Sequence, residues 1–374
     1  MKQILKYILL GILLIGCSEN NKKKDSKVPS DANFKVIAYV HGWNNILETH
    51  KEKANQITHI NYAFANIKDG KVVEDKSSDT ETLKKLNELK QVNPALKILV
   101  SVGGWSWSKN FSDAALTEQS REVFANSAIA FMQRHNIDGI DLDWEYPGQI
   151  GDNNTFRSED KENFTAILKL IREKLEAIRP NTYLLTIATG ANQKYLDHTN
   201  MAEAHQYLDF INIMTYDYFT GGGSKTGHHS NLFASSFNSN GISSAKAVEQ
   251  HVNAGIPIEK LVLGVPFYGR WWKGANDENN GLYQDSSGER GGYSFKEIEE
   301  KYINTNGFET FWDDSAKAPY LWNATEKQFV TYEDAKSLKH KIDYIKDNKM
   351  GGIMFWQLFG DSGTLLNIIS DNLK

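Results

Sequence analysis

The 374-residue chain has one cysteine, seven prolines and little continuous apolar sequence. Cys17 stands alone, so an intramolecular disulfide framework and a cysteine-built zinc site are both excluded. The run Ile8–Ile15 is too short to cross a bilayer, since a transmembrane helix takes ~20 apolar residues. Basic charge is also scarce. Lys plus Arg number 42 against 47 Asp plus Glu, a formal net charge of −5, and the basic footprint of a nucleic-acid binder is missing. The ten histidines show no HExxH and no paired ligand spacing, and His228-His229 sits in a Gly/Ser-rich loop, so no metal or cofactor is expected. No internal repeat is visible, which argues against a solenoid. What is plentiful is glycine (28), tryptophan (9), tyrosine (16) and phenylalanine (18). Gly-rich loops with many aromatic rings suit a sugar-binding cleft. The 40% hydrophobic and 24% charged content is that of an ordinary globular protein.

Residues 1–16 read as a secretory leader, with Lys2 and Lys6 ahead of the apolar core. Leu14-Ile15-Gly16-Cys17 resembles the bacterial lipobox, in which the cysteine is acylated and becomes the mature N-terminus. Acyl chains on Cys17 would tie the protein to the cell envelope, at the outer membrane or cell surface or on the periplasmic face, without a spanning helix. Residues 17–33 are polar and charged and read as a flexible tether. Beyond them the remaining chain carries about −8 by formal count.

From Phe34 onward, short β-rich runs alternate with helical patterns. Strands are expected at Phe34–Val40, His59–Phe64, Lys97–Gly104, Gly139–Trp144, Leu184–Thr189, Phe210–Asp217, Leu261–Gly269 and Gly351–Leu358. Most are continuously apolar, as parallel strands buried on both faces must be. Helices are expected at Thr80–Gln91, Thr117–His135, Glu159–Ile178 and Lys336–Asn348. Asp69-Gly70 marks a hairpin. This alternation predicts an α/β fold, a (β/α)8 barrel of the TIM type. About 65 residues separate the seventh strand from the last helix, far above the usual few for a βα loop. A small α+β insertion at 266–335 is therefore expected, interrupting a barrel made of 34–265 and 336–374.

The informative segment is Asp138-Gly139-Ile140-Asp141-Leu142-Asp143-Trp144-Glu145-Tyr146-Pro147. Strand side chains alternate with period two, so Asp141, Asp143 and Glu145 share a face and Ile140, Leu142 and Trp144 take the other. Three crowded carboxyls in a partly dry barrel mouth must share protons, which raises at least one pKa. An acidic strand could instead be a hard-cation site. The aromatic neighbours and the lack of a nearby histidine weigh against that.

With these residues in place, the sequence resembles the glycoside hydrolase family 18 chitinases. Asp138-x-x-Asp141-x-Asp143-x-Glu145 matches that family's signature. Ser101-Val102-Gly103-Gly104-Trp105, Met214-Thr215-Tyr216-Asp217, Gly264 to Arg270, and Gly352 to Trp356 match further along, in order. The resemblance implies hydrolysis of chitin or chitooligosaccharides, and a monomer is expected. It implies substrate-assisted retaining catalysis, an exception to the two-carboxylate scheme. Glu145 would be the general acid and base. Asp143 would orient the substrate's acetamido group, Asp141 would share a proton with Asp143, and Tyr216 would hold the acetamido group in line. Trp356 would floor the reacting sugar and Trp105 would stack on a leaving-side sugar. Asp217 and Arg270 would hydrogen-bond the sugar, Tyr39 and Ser101 would steady the aspartates, and Phe64, Gly104, Met214 and Tyr268 would complete the pocket. Two other readings stay open: a non-catalytic glycan-binding lipoprotein, and an endo-acting N-acetylglucosaminidase on N-glycans.

Overall fold

The computed structural model describes residues 34–42 and 51–373; Cys17, the leader and the tether lie outside them. Eight parallel strands close into a barrel: β1 (Lys35–His41), β2 (His59–Lys68), β4 (Lys97–Gly103), β5 (Gly139–Asp143), β6 (Leu184–Gly190), β7 (Phe210–Met214), β8 (Leu261–Pro266) and β14 (Gly352–Trp356). β1 pairs with both β2 and β14, which removes the sheet edges. β3 (Lys71–Val73) pairs antiparallel with the end of β2. The turn between them, Asp69-Gly70, has φ of 52° and 71°, the left-handed geometry of a tight hairpin turn.

The strands are apolar on both faces because each face is buried. Ile140, Leu142 and Trp144 point outward into the main core, against helices such as Glu118–Arg134 and Asp160–Ile178. The second helix buries Phe164, Ile167, Leu168, Ile171 and Leu175 as one stripe. Each such side chain stabilises the fold by roughly 1.5–3 kcal/mol. Thr117 and Asp334 begin the helices Glu118–Arg134 and Ala335–Asp347 with reciprocal capping boxes. A smaller interior cluster holds Ile37, Tyr39, Ala63, Phe210, Val262 and Met354, with Phe64, Met214, Tyr216 and Trp356 packed on it.

Between β8 and the helix Ala335–Asp347 stands a five-stranded antiparallel sheet. It contains β9 (Tyr268–Trp272), β10 (Arg290–Ser294), β11 (Glu309–Asp313), β12 (Ala318–Asn323) and β13 (Gln328–Thr331), in the order β10-β9-β13-β12-β11. The helix Phe295–Lys301 is N-capped by Ser294. Three expected strands are clearly shorter than their runs suggest; Gly351–Leu358 is a strand only over Gly352–Trp356. The run Leu261–Gly269 splits at Phe267, because Tyr268 onward pairs with β10 and β13 rather than with the barrel. The run Phe210–Asp217 ends at Met214, and Asp217 is left-handed with φ 59°. Trp272 and Trp322 are buried in the core of this sheet with Leu282 and Phe329. Trp271 stacks on Tyr293, and Lys336 covers Trp312.

Candidate active site

Barrel register builds the floor of the site. Ser101, Asp141 and Thr186 are Cα partners across β4, β5 and β6, so their side chains meet at one level inside the barrel. Asp141 is fully buried and receives four donors. Tyr39 and Ser101 each donate a hydroxyl to Oδ2 at 2.7 Å. Thr186 donates to Oδ1 at 2.5 Å, and the Asn212 amide at 3.4 Å. Burial raises the Asp141 pKa, and these hydroxyl bonds oppose the rise.

Asp143 ends β5 and Glu145 lies just beyond it, so strand alternation carries both into the cleft above Asp141. Burial pushes Glu145 up to about 7. Burial and the charges of Glu145 and Asp141 hold Asp143 well above the ordinary carboxylate range, and it hydrogen-bonds Glu145. The hydrogen-bonding neighbour of Asp143 here is Glu145. Asp141 is instead committed to hydroxyl and amide donors, which the spacing of three acids could not reveal. Ser108 accepts from the Glu145 backbone N–H at 2.8 Å and donates to the Asp143 carbonyl at 3.0 Å, fixing the turn between them. The peptide bonds after Ala63, Glu145 and Trp356 are cis.

Around these acids lies a cleft of about 1070 Å³, lined by Tyr39, Phe64, Trp105, Met214, Tyr216, Asp217, Tyr268, Arg270 and Trp356 among others. Phe64 stacks on Trp356 with ring centroids 5.4 Å apart. Trp105 is 53% exposed at the rim, on the short helix Gly104–Trp107. Asp217 is bound by Arg270 through two bonds of 2.8 Å and by the Tyr268 hydroxyl at 2.8 Å. Burial would raise Asp217, but the adjacent His229 ring and the bonds and charge of Arg270 outweigh it and hold the pKa far below the usual range.

Ser101, Asp141 and Gly104 do not line the cleft; they sit beneath it and brace what does. Gly104 leaves room for Phe64, whose ring atoms would lie 2.6–2.8 Å from a Cβ there. Gln357 turns away and caps the backbone N–H of Phe359 through Oε1. Sequence reasoning missed Thr186 and Asn212, whose inward positions follow from the same period-two alternation that located Asp141. It also missed Tyr146, which hydrogen-bonds Glu145, and the wall contributed by Asn240, Ile242 and Lys246. Loop residues such as Asn240 and Ile242 carry no periodicity, and Lys246 lies on the helix Ser244–Asn253. Among the described residues no cluster of three or more histidines, cysteines or acids is arranged to hold a metal ion.

Glycosyl hydrolases family 18 matches residues 35–361 of this sequence. The chain belongs to that family. It is a glycoside hydrolase whose barrel carries the family's acidic strand at β5. Chitinase A1 of Niallia circulans is 46% identical over 311 residues, which is 78% of this chain and 44% of that protein. This chain thus spans less than half the length of that relative. Chitinase B of Serratia marcescens is 32% identical, over 83% of this chain and 74% of that protein. Among solved structures, a family 18 N-acetylglucosaminidase from Paenibacillus barengoltzii superposes with a TM-score of 0.86 at 41% identity, covering 91% of this chain and all of that one. Chitinase ChiA74 from Bacillus thuringiensis gives 0.85 at 34% identity, covering 91% of this chain and 69% of that one.

Proposed function

We propose that the chain is a chitinase that cleaves β-1,4-linked N-acetylglucosamine chains with substrate-assisted retention of configuration. The observation that carries this reading is the division of labour among the carboxyls. Glu145 holds a proton near neutral pH, as a general acid must. No second carboxylate is free to attack the anomeric carbon. Asp141 is taken up by four donors, and Asp217 by Arg270 and Tyr268. Asp143 hydrogen-bonds Glu145 and is held well above the ordinary carboxylate range by burial and neighbouring charge, which makes it a poor nucleophile. The remaining nucleophile is the carbonyl oxygen of the substrate's own acetamido group.

Hydrolysis then proceeds in two steps. Glu145 gives its proton to the glycosidic oxygen while the acetamido oxygen bonds to the anomeric carbon. The leaving sugar departs and a cyclic oxazolinium ion forms. Asp143 Oδ1 is buried and has no protein partner, which suits it to accept the acetamido N–H and to stabilise the growing positive charge. Tyr216, beside it, donates its hydroxyl to the acetamido oxygen and holds it in line. Trp356 floors the sugar. Glu145, now ionised, takes a proton from water as the water opens the ring, which restores the starting state. Glu145→Gln keeps the shape and removes the acid. Chitotetraose turnover is expected to vanish while oligosaccharide binding by calorimetry persists; retained turnover sinks the assignment. A thiazoline analogue of the oxazolinium ion is expected to inhibit competitively.

The likeness to the P. barengoltzii N-acetylglucosaminidase supports a second reading, release of single sugars from chain ends. Products of chitohexaose sampled early separate the two. Monosaccharide alone favours the second, and mixed oligomers favour the first. We further propose lipid anchoring in the cell envelope through Cys17. Radiolabelled palmitate is expected on the wild-type chain and absent after Cys17→Ala.

A further inference from the structure

Tyr216 and Asp217 occupy an irregular segment between the end of β7 and the cleft wall. Asp217 has φ 59°, a left-handed conformation uncommon for a residue other than glycine. Such a conformation is strained and persists only where the surroundings over-determine it. Besides Arg270 and Tyr268, which hold its carboxylate, the surroundings include three consecutive residues, His229, Ser230 and Asn231. Ser230 Oγ donates to the Thr215 carbonyl at 3.0 Å, one residue before Tyr216. The Tyr218 backbone N–H donates to the His229 carbonyl at 3.2 Å, one residue after Asp217. The pair Tyr216-Asp217 is thus gripped at both ends.

Each of the three residues also ties this grip to a different wall. The His229 backbone N–H reaches the Thr331 hydroxyl at 3.3 Å, and Thr331 pairs in register with Arg270, the partner of Asp217. The His229 ring lies 3.6 Å from Asp217. The Asn231 amide donates to the carbonyls of Phe233 and Ile242 at 2.7 and 2.8 Å, which fixes the loop whose Ile242 faces the cleft. Beneath Ser230 lies a wholly buried ion pair. Lys341 donates to Glu333, to the Ser230 carbonyl at 2.5 Å and to the Ser230 hydroxyl at 2.8 Å, while Ser337 donates to Glu333 at 2.6 Å. A buried pair is a poor source of stability, because desolvation offsets the Coulomb attraction. Its geometry suits another use: the single Lys341 ammonium places two of its donors on Ser230, at one end of the grip.

We propose that His229–Asn231, seated on the buried Glu333–Lys341 pair, are positioning residues that hold Tyr216 and Asp217 in their working orientation. This rests on the role of Tyr216 given above. The hydroxyl of Tyr216 must meet the acetamido group in line, and a misplacement of about 1 Å far from the chemistry can cost on the order of a hundredfold in rate. Binding of the remaining sugars depends on other residues, so the effect falls on kcat.

Two variants test it. Ser230→Ala removes the bond to Thr215 with little change in volume. The double variant Glu333→Gln with Lys341→Met removes both charges together and leaves neither uncompensated. In each, kcat on chitotetraose is expected to fall roughly tenfold or more, with KM within about twofold. Crystal structures are expected to show Tyr216 and Asp217 displaced while the barrel strands superpose on the wild type. Unchanged kcat and an unmoved Tyr216, with only a lower melting temperature, overturn the proposal. If the double variant does not fold, Ser230→Ala decides. If the wild type fails to cleave chitotetraose, the chitinase reading falls, and the crystallographic position of Tyr216 alone decides the clamp.

Discussion

Glu145 and Asp217 sit in one cleft, and their pKa values are shifted in opposite directions. Burial raises Glu145 to about 7, so its acid form is present below that pH and lost above it. The rate constant kcat/KM on chitotetraose is expected to decline as pH rises through about 7, and a profile flat to pH 9 refutes Glu145 as the acid. Asp217 is ionised throughout that window, because His229 and Arg270 outweigh its burial. Its folded pKa lies below its unfolded one, so its contribution to stability is full above the ordinary carboxylate pKa and is lost as pH falls below it. Asp141 depends on donors. Thr186→Val leaves a buried oxygen short of one and is expected to lower the unfolding free energy by about 1–3 kcal/mol in urea titration. Thr186→Ser restores the hydroxyl and most of the loss.

At the scale of elements, the ends of the barrel strands matter more than their middles. β5 sends Ile140 and Leu142 outward and Asp141 and Asp143 inward, and Trp144 just past its end turns outward again. That indole stacks on Phe111 at 5.1 Å. Trp144→Ala therefore removes core contacts directly behind the catalytic carboxyls and is expected to cost about 3–5 kcal/mol in chemical denaturation. The step from β4 into the helix Gly104–Trp107 uses a left-handed Gly104, φ 75°, whose missing Cβ makes room for Phe64. Gly104→Ala is expected to push Phe64 off Trp356 and to reduce kcat/KM on chitotetraose, with little change in the circular dichroism of the barrel. The ends of the strands were also where sequence reasoning erred. Apolar runs continue through Gly269 and Asp217, but hydrogen bonding to a different sheet or a left-handed turn stops the strands earlier.

Across the whole molecule, the described residues form one compact unit in which the antiparallel sheet serves the barrel's cleft. Its strand β9 supplies Tyr268 and Arg270 to Asp217, a barrel residue. A chain starting at Phe34 is expected to retain the wild-type kcat on chitooligosaccharides, since every residue assigned a catalytic or sugar-binding role lies beyond that point. A large loss of turnover in that truncation contradicts the reading of residues 17–33 as a tether.

The sequence alone determined the barrel and the identities of its acids. Both are written in short-range patterns: apolar strands alternating with amphipathic helices, and carboxyls spaced by two on one strand. The same spacing could not say which acid pairs with which, because Asp141's donors come from four other strands brought level by barrel register. Nor could it say why Lys341 is buried or what His228-His229 adjoins. Those facts depend on contacts across roughly a hundred residues of sequence, such as Lys341 to Ser230 and His229 to Thr331. Only closure of the barrel decides them.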